Sequence, residues 1–386
     1  MSLFSKLFPK EAVAEATAGY IQTLTGYQPV FRSFGGGIYE SELCRASIHA
    51  IATHCSKLKP VVKGARKDLQ SILEFAPNPY MDMTKFLYKT RTILEVENTA
   101  FIVPMYDKYY EKIVGFYPVQ PKQAEIREKN GKDYLVFNFA NGQRSAIEYE
   151  NAGIVTKFFY KNEYFGEDNA ALHTTLDLLY TQKQGIKEGI KQGATIRFIG
   201  KLASSLKAKD IEEERKRWVK SNLDISNNGG IALVDAKYSD IKQIESKPYA
   251  IDKDQMAEVK ASVFDYFGVN EKILQNNFTP DEWAAFYEAN IEPFALQLSL
   301  VLSNMLFTNE QKVRGNSVQF TSNRLQYAST KEKLNVVVGL TDRGMMSRNE
   351  GREVFNLDPI EGGDDYIIRG EYYNADEKVG DDDSLS

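Results

Sequence analysis

The sequence predicts an α+β fold, and three features carry that prediction. Strand-like alternation is gathered into one stretch, residues 99–160. Helical periodicity brackets that stretch on both sides. A single long helical run, 281–307, follows towards the C-terminus. At 386 residues the chain exceeds one average domain, so two or three packed subregions are expected. Hydrophobic content of 42% and aromatic content of 12% suffice for real cores.

The first 40 residues form an N-terminal segment, expected to be partly flexible. Its start, MSLFSKLFPKEAVAEA, sets Leu3, Phe4, Leu7 and Phe8 at amphipathic spacing without the apolar region or cleavage site of a signal peptide. Docking onto the body is the expectation for this piece rather than a membrane surface. After the loop SFGGGIYES, Ser41 is a plausible N-cap for a helix that buries Leu43, Ala46, Ile48, Ile51, Ala52 and Leu58 and ends before Pro60. FAPNPYMDMT is a turn with Asp82 as N-cap of a second helix, whose stripe is Phe86, Leu87, Ile93 and Leu94.

From Thr99 the texture turns to strands: TAFIVPMYD, KIVGFYPV, AEIREKNGKDYLVFNF and RSAIEYE. Asn130-Gly131 and Asn141-Gly142 are hairpin signals, because both central positions of such turns favour positive φ. A small antiparallel β module follows from these. Helical texture resumes at NAALHTTLDLLYTQKQGIKEGIKQGA. Then come a strand, TIRFIGKLA, a charged helix, LKAKDIEEERKRWVKSNL, a strand pair in GGIALVDAKYSDIKQI, the helix AIDKDQMAEVKASVFDYFG and an irregular NEKILQNNFTP. The run from Asp281 to Phe307 spans about 40 Å as a helix, and Pro293 should kink it by removing an amide donor. The strand NSVQFTSNRL precedes two short helices with capping-box signatures, Ser329–Glu332, stopping at Gly339, and Ser347–Glu350. The tail from Asn374 is acidic and expected to be disordered.

Chemistry-bearing residues are sparse. His49, His54, Cys44 and Cys55 match no zinc spacing and are read as structural, and two cysteines in all point to a reducing compartment. His173 has no nucleophile arranged around it. Gly35-Gly36-Gly37 and Gly229-Gly230 lack the residues of a phosphate loop. Glu361, Asp364 and Asp365 could hold a divalent ion for phosphoryl transfer, but a Gly-Gly turn flanked by acids is normally a solvated loop. Arg215, Lys216, Trp218 and Lys220 on EEERKRWVK form either a solvated helix face or a docking patch for an acidic partner. No cofactor is implied. A net charge of −5 argues against tight binding of nucleic acid.

Five phrases, in order, resemble the portal proteins of tailed bacteriophages of the Hong Kong 97 type: FAPNPYMDMTKF, ENTAFIVPMYD, VFDYFGVNEKIL, FYEANIEPFALQLSLVLSNMLF and GMMSRNEGREVFNLDPIEGGDDY. The resemblance covers about residues 40–370. Asn270 in place of a proline, Glu97-Asn98 in place of Gly-Asn, and FGEDNAAL mark a divergent member.

That resemblance implies a non-enzymatic ring of about twelve subunits at one capsid vertex. Double-stranded DNA would pass along its axis, and no membrane is involved. Residues 41–169 would form the wing, 170–193 and 251–274 the helical stem with Lys253 and Lys260, and 194–250 an α/β clip. Gln275, Asn276, Asn277, Phe278 and Thr279 fall in a tunnel loop (275–280), with Phe278 and Asn277 lining the channel. The long kinked helix (281–308), a wing strand (309–328) and short crown-proximal helices (329–372) complete the fold, and 373–386 is the tail. Terminase large subunit and head–tail adaptor would dock at the clip patch. Major capsid protein and scaffold are further implied partners, and the place of action is the virion, after assembly in the host cytoplasm. Low net charge and an uncharged QNNFT loop suit a conduit that must not grip its cargo.

Overall fold

Ser41, in extended backbone, precedes the first helix, α1 (Glu42–Cys55). The computed structural model describes residues 22–27, 37–64, 66–107, 109, 112–193, 197–202, 208–222, 238–244, 253–321, 330–355 and 357–368. Helix α1 buries Cys44, Ser47, Ile48, Ile51, Ala52 and Cys55. Of the predicted face, Ile48, Ile51, Ala52 and Leu58 are buried, whereas Leu43 is half-buried and Ala46 exposed. Strand β1 (Gln22–Tyr27) comes before it, and β2 (Lys59–Lys63) and α2 (Asp68–Glu74) after it. Helix α3 (Met83–Glu97) packs on α1 and begins where the Asp82 carboxylate accepts from the Lys85 amide at 2.8 Å. All four residues of its predicted stripe are buried. It ends at Asn98, whose φ of 52° is the left-handed cap that turns the chain into β3 (Thr99–Tyr106).

The β module divides into two sheets. One has the order β4-β3-β8, from β4 (Ile113–Val119) and β8 (Gly153–Thr156) on either side of β3. The other runs β1-β5-β6-β7, with β5 (Gln123–Lys129), β6 (Lys132–Asn138) and β7 (Arg144–Glu148) as a meander. Phe101, Val103, Val119, Ile126, Leu135, Phe137 and Ile147 form one shared core between them. At the β5–β6 turn Asn130 and Gly131 both take positive φ, 54° and 74°. At the β6–β7 turn only Gly142 does, with φ 79°. Asn141 instead accepts the Gln143 amide on its side chain at 3.0 Å, so this hairpin is longer than the two-residue turn predicted. The pairing of β1 with β5 was not anticipated from the N-terminal segment.

The long helical run is three pieces. Helix α8 (Pro280–Phe286) leads into a π turn (Tyr287–Ile291) and then α9 (Glu292–Leu306), with Pro293 in the first turn of α9. The missing Pro293 amide coincides with a widened π turn just before it, the kind of interruption at which helices bend. Helix α9 packs against β11 (Ser317–Thr321), which pairs with β2. Short α10 (Asn309–Val313) lies between α9 and β11. Helix α11 (Thr330–Asp342) runs through Gly339. Its stop is Gly344, φ 67°, whose amide donates to the Thr341 carbonyl at 3.0 Å. Ser347 caps α12 (Arg348–Val354) with the predicted capping box. Ser329, the first expected cap, lies outside the described residues, as do Leu3, Phe4, Leu7, Phe8 and the acidic tail.

The chain separates into two units, residues 1–174 with 261–386, and residues 175–260. The boundary falls inside α4 (Ala170–Gly193) and α6 (Lys253–Phe267). The second unit contains β9 (Arg197–Leu202), the charged helix α5 (Ala208–Asn222) and β10 (Tyr238–Ile244), which pairs antiparallel with β9. The expected partner of β10 within 229–237 lies outside the described residues. NEKIL is a short helix, α7 (Glu271–Leu274), rather than irregular chain.

Candidate functional site

The most heavily built polar centre in the first unit is one the sequence did not announce. Glu95, on the buried face of α3, has no solvent exposure and lies 2.5 Å from Arg91 and 2.6 Å from Lys157. Burial alone would raise its carboxyl, but the two cations outweigh burial and hold it below the ordinary carboxylate range. The Arg91 guanidinium sits over the Phe294 ring at 5.1 Å and the Lys157 ammonium near Phe267 at 5.6 Å, so α9 and α6 close over the pair. Around it, the Asn98 amide donates to the Glu167 carbonyl at 2.7 Å and to Asn169 Oδ1 at 2.8 Å. Asn169 donates to the Val96 carbonyl, and Tyr266 donates to Asn169 Oδ1 at 2.6 Å. Gly166 completes the knot, giving its amide to Thr99 Oγ1. Its legible signals were Asn98 in ENTAF, and an Arg–Glu pair four residues apart on an otherwise apolar stripe.

The second feature is the turn 275–279. Asn276 takes φ 54°, and the Asn277 amide reaches back to the Lys272 carbonyl at 2.9 Å. Thr279 forms a reciprocal capping box with Glu282, and Lys272 is ion-paired to Glu282. Gln275, Asn276, Asn277 and Thr279 are exposed. Phe278 is half-buried, with its ring 5.4 Å from Trp283 and 6.3 Å from His54. The same imidazole lies 4.5 Å from Trp283 and 5.7 Å from Phe286.

Burial first, and the Lys57 charge second, lower the His54 pKa to about 4. Between that value and the ordinary 6.5 the unfolded chain binds a proton that the folded chain excludes. Stability therefore falls as pH drops through this window. Unfolding titrations should show a loss of about 2 kcal/mol between pH 7 and 5. In His54→Gln that slope should flatten, whatever the variant's stability at pH 7.

The closing phrase, by contrast, is locked by its own residues. The Asn349 amide donates to the Ile360 carbonyl at 3.0 Å and to Asp364 Oδ1 at 2.8 Å, and its Oδ1 accepts the Ile360 amide at 2.8 Å. A Cβ on Gly363 would lie 2.2 Å from Asn349 Oδ1, which accounts for a glycine there. Arg352 donates to the Asp358 carbonyl at 2.7 Å. Asp364 is thus part of an internal clamp. Glu361 and Asp365 are exposed, and among the described residues no group of three or more His, Cys, Asp or Glu is placed to hold a metal ion.

The remaining candidates are dispersed. Cys44 and Cys55 are buried free thiols. His49 shares a 2.9 Å hydrogen bond with the Tyr88 hydroxyl. His173 lines a cavity of about 530 Å³ with Tyr39, Arg45, Tyr88, Lys89 and Glu97, and among the described residues no Ser or Cys lines it. In the second unit Lys216 lies 3.8 Å from Glu212, and Lys220 is exposed; Arg215 and Trp218 share their helix. Lys253 is exposed and Lys260 half-buried on α6. Gly37 is described, whereas Gly35, Gly36, Gly229 and Gly230 lie outside the described residues. Among the described residues no helix is long and apolar enough to cross a membrane.

A protein-family model described as "Phage portal protein" matches residues 43–356. The chain belongs to the phage portal protein family. The match runs from α1 through α12, so this portal chain's buried charge centre and 275–279 turn fall within it, while Asp364 falls beyond its end. Two curated relatives, each described as "Probable portal protein", come from Lactococcus phage p2 and Lactococcus phage SK1. Each is 24% identical over 251 residues, 63% of this chain and 63% of its own length. The portal chain thus matches just under two thirds of the curated relatives' length. Among solved structures, a chain from the neck of a native GTA particle computed with C12 symmetry superposes with a TM-score of 0.61 at 13% identity. The superposition covers 92% of this chain and 100% of that one, a likeness of fold.

Proposed function

We propose that this portal chain closes into a ring at one capsid vertex, through which double-stranded DNA is packaged and later ejected. The ring also docks the terminase large subunit and then the head–tail adaptor. The observation that carries this reading is the family match across residues 43–356. The C12 symmetry of the native GTA neck supports about twelve subunits. Leu296 and Leu300 on α9 and Phe159 and Tyr160 on the loop after β8 are exposed large apolar side chains, of the kind a neighbouring subunit would cover.

Within that reading, residues 41–169 act as wing, the helices at 170–193 and 251–274 as stem with Lys253 and Lys260, and 194–250 as clip. Arg215, Lys216, Trp218 and Lys220 meet the motor and adaptor. The 275–279 turn faces the channel, and the helices of 329–372 lie towards the crown. Major capsid protein and scaffold are partners during assembly in the host cytoplasm, and the finished ring resides in the virion.

The ring does its work without catalysis. The phosphoryl-transfer alternative draws no support from Asp364, which Asn349 already holds. Particles assembled without the chain should remain empty of DNA and fill when it is supplied in trans. Mg²⁺- or Mn²⁺-dependent DNA cleavage by the purified chain, lost in Asp364→Asn, would overturn the reading.

A further inference from the structure

We propose that Phe278 is a positioning residue. Seated against His54 and Trp283, it holds the 275–279 turn so that Asn276 and Asn277, and not the aromatic ring, form the tip that meets DNA. The inference rests on the portal reading and assigns roles within one of its elements.

Four constraints fix the turn. Asn276 is in the left-handed region, and the Asn277 amide is tied back to Lys272. Thr279 starts α8 through a capping box, and Lys272 pairs with Glu282 across the base. Between these ties the Phe278 ring turns inwards, to Trp283 at 5.4 Å and His54 at 6.3 Å. An apolar ring packed on aromatic neighbours gains burial that it would lose by swinging outwards. The two asparagines remain exposed.

Their chemistry suits a moving polyanion. A side-chain amide both donates and accepts, exchanges readily with water and carries no charge. Repeated around a ring, cations at this position would add their phosphate attraction many times over. Lys272, at the base of the turn, is already paired with Glu282.

The test is thiol footprinting in assembled particles. Both native thiols are silent, because burial pushes Cys44 up to about 11 and Cys55 up to about 12. Maleimide should label Asn277→Cys rapidly in empty particles and at least about tenfold more slowly in DNA-filled ones. Equal rates in the two would overturn the inference. Adding Phe278→Ala should reduce the protection to less than about threefold, and Phe278→Tyr should restore it. Full protection in Phe278→Ala would refute the positioning role. If that variant does not assemble, Trp283→Leu removes the ring's seat and is read in the same way. Particles that never fill, even with the native chain, would overturn the portal reading itself. Filled particles whose introduced thiol is unprotected would overturn this inference alone.

Discussion

Glu95→Ala is expected to destabilise the first unit by about 3–5 kcal/mol, the cost of leaving buried charge uncompensated. Glu95 is fully buried, and its cations are themselves enclosed, with Arg91 and Lys157 side chains 7% and 22% exposed. Removing the carboxylate leaves two positive charges packed against Phe294 and Phe267 with their counter-charge gone. A fall of about 10 °C in the unfolding midpoint, or failure to accumulate in the soluble fraction, is the expected result. Adding Lys157→Met to Glu95→Ala should recover part of the loss, because the two changes are coupled through one contact. If the double variant is less stable than the sum of the single effects, the charge pairing is not what holds α3 to the loop after β8.

Gly166→Ala should have an effect of similar size from a different cause. A Cβ there would lie 2.2 Å from the carbonyl oxygens of both Asn98 and Lys157. These are backbone atoms, and they are tied together, since the Lys157 amide donates to the Asn98 carbonyl at 2.9 Å. Neither can move without opening the C-cap of α3 or withdrawing Lys157 from Glu95. We expect a loss of about 3 kcal/mol. Gly142→Ala is the control. Its φ of 79° is unfavourable for alanine, but nothing lies within 4 Å of the added methyl, so the loss there should be near 1 kcal/mol. Chemical denaturation of the two variants separates collision from backbone preference.

Both predictions fall on residues that the sequence showed only in part. Local grammar was legible wherever a single turn or stripe settles the outcome. Asp82, Ser347 and Asn130-Gly131 each act through neighbours within three residues, and the α3 stripe needs only helical period. The misreadings share a cause. Ala46 is exposed and Cys44 buried because tertiary packing, not composition, sets how far α1 is rotated. Gly339 does not end α11, because nothing crowds it and a glycine is tolerated inside a helix at modest cost. At Pro293 the helical run does leave α geometry where the sequence places the break, through a π turn just before the proline.

The buried centre was hidden for a plainer reason. Glu95 and Lys157 are 62 residues apart, and Asn169 and Tyr266 are 97 apart, so no local pattern joins them. The turn at 275–279 was legible as uncharged and short. That its phenylalanine points inwards depends on Trp283 and on His54, the latter more than two hundred residues away in the sequence. Two of the five phrases that carry the resemblance hold such structural positions: Asn98 in ENTAFIVPMYD caps a helix, and Asn349 in the closing phrase clamps a Gly-Gly-Asp turn.

Whether the chain closes into a ring is tested most directly by electron microscopy of the purified protein, with particles averaged down their long axis. Annular particles with a central hole and a single rotational symmetry, about twelvefold, are the expected result. Particles that remain single chains, at high protein concentration and in the presence of capsid proteins, would contradict it.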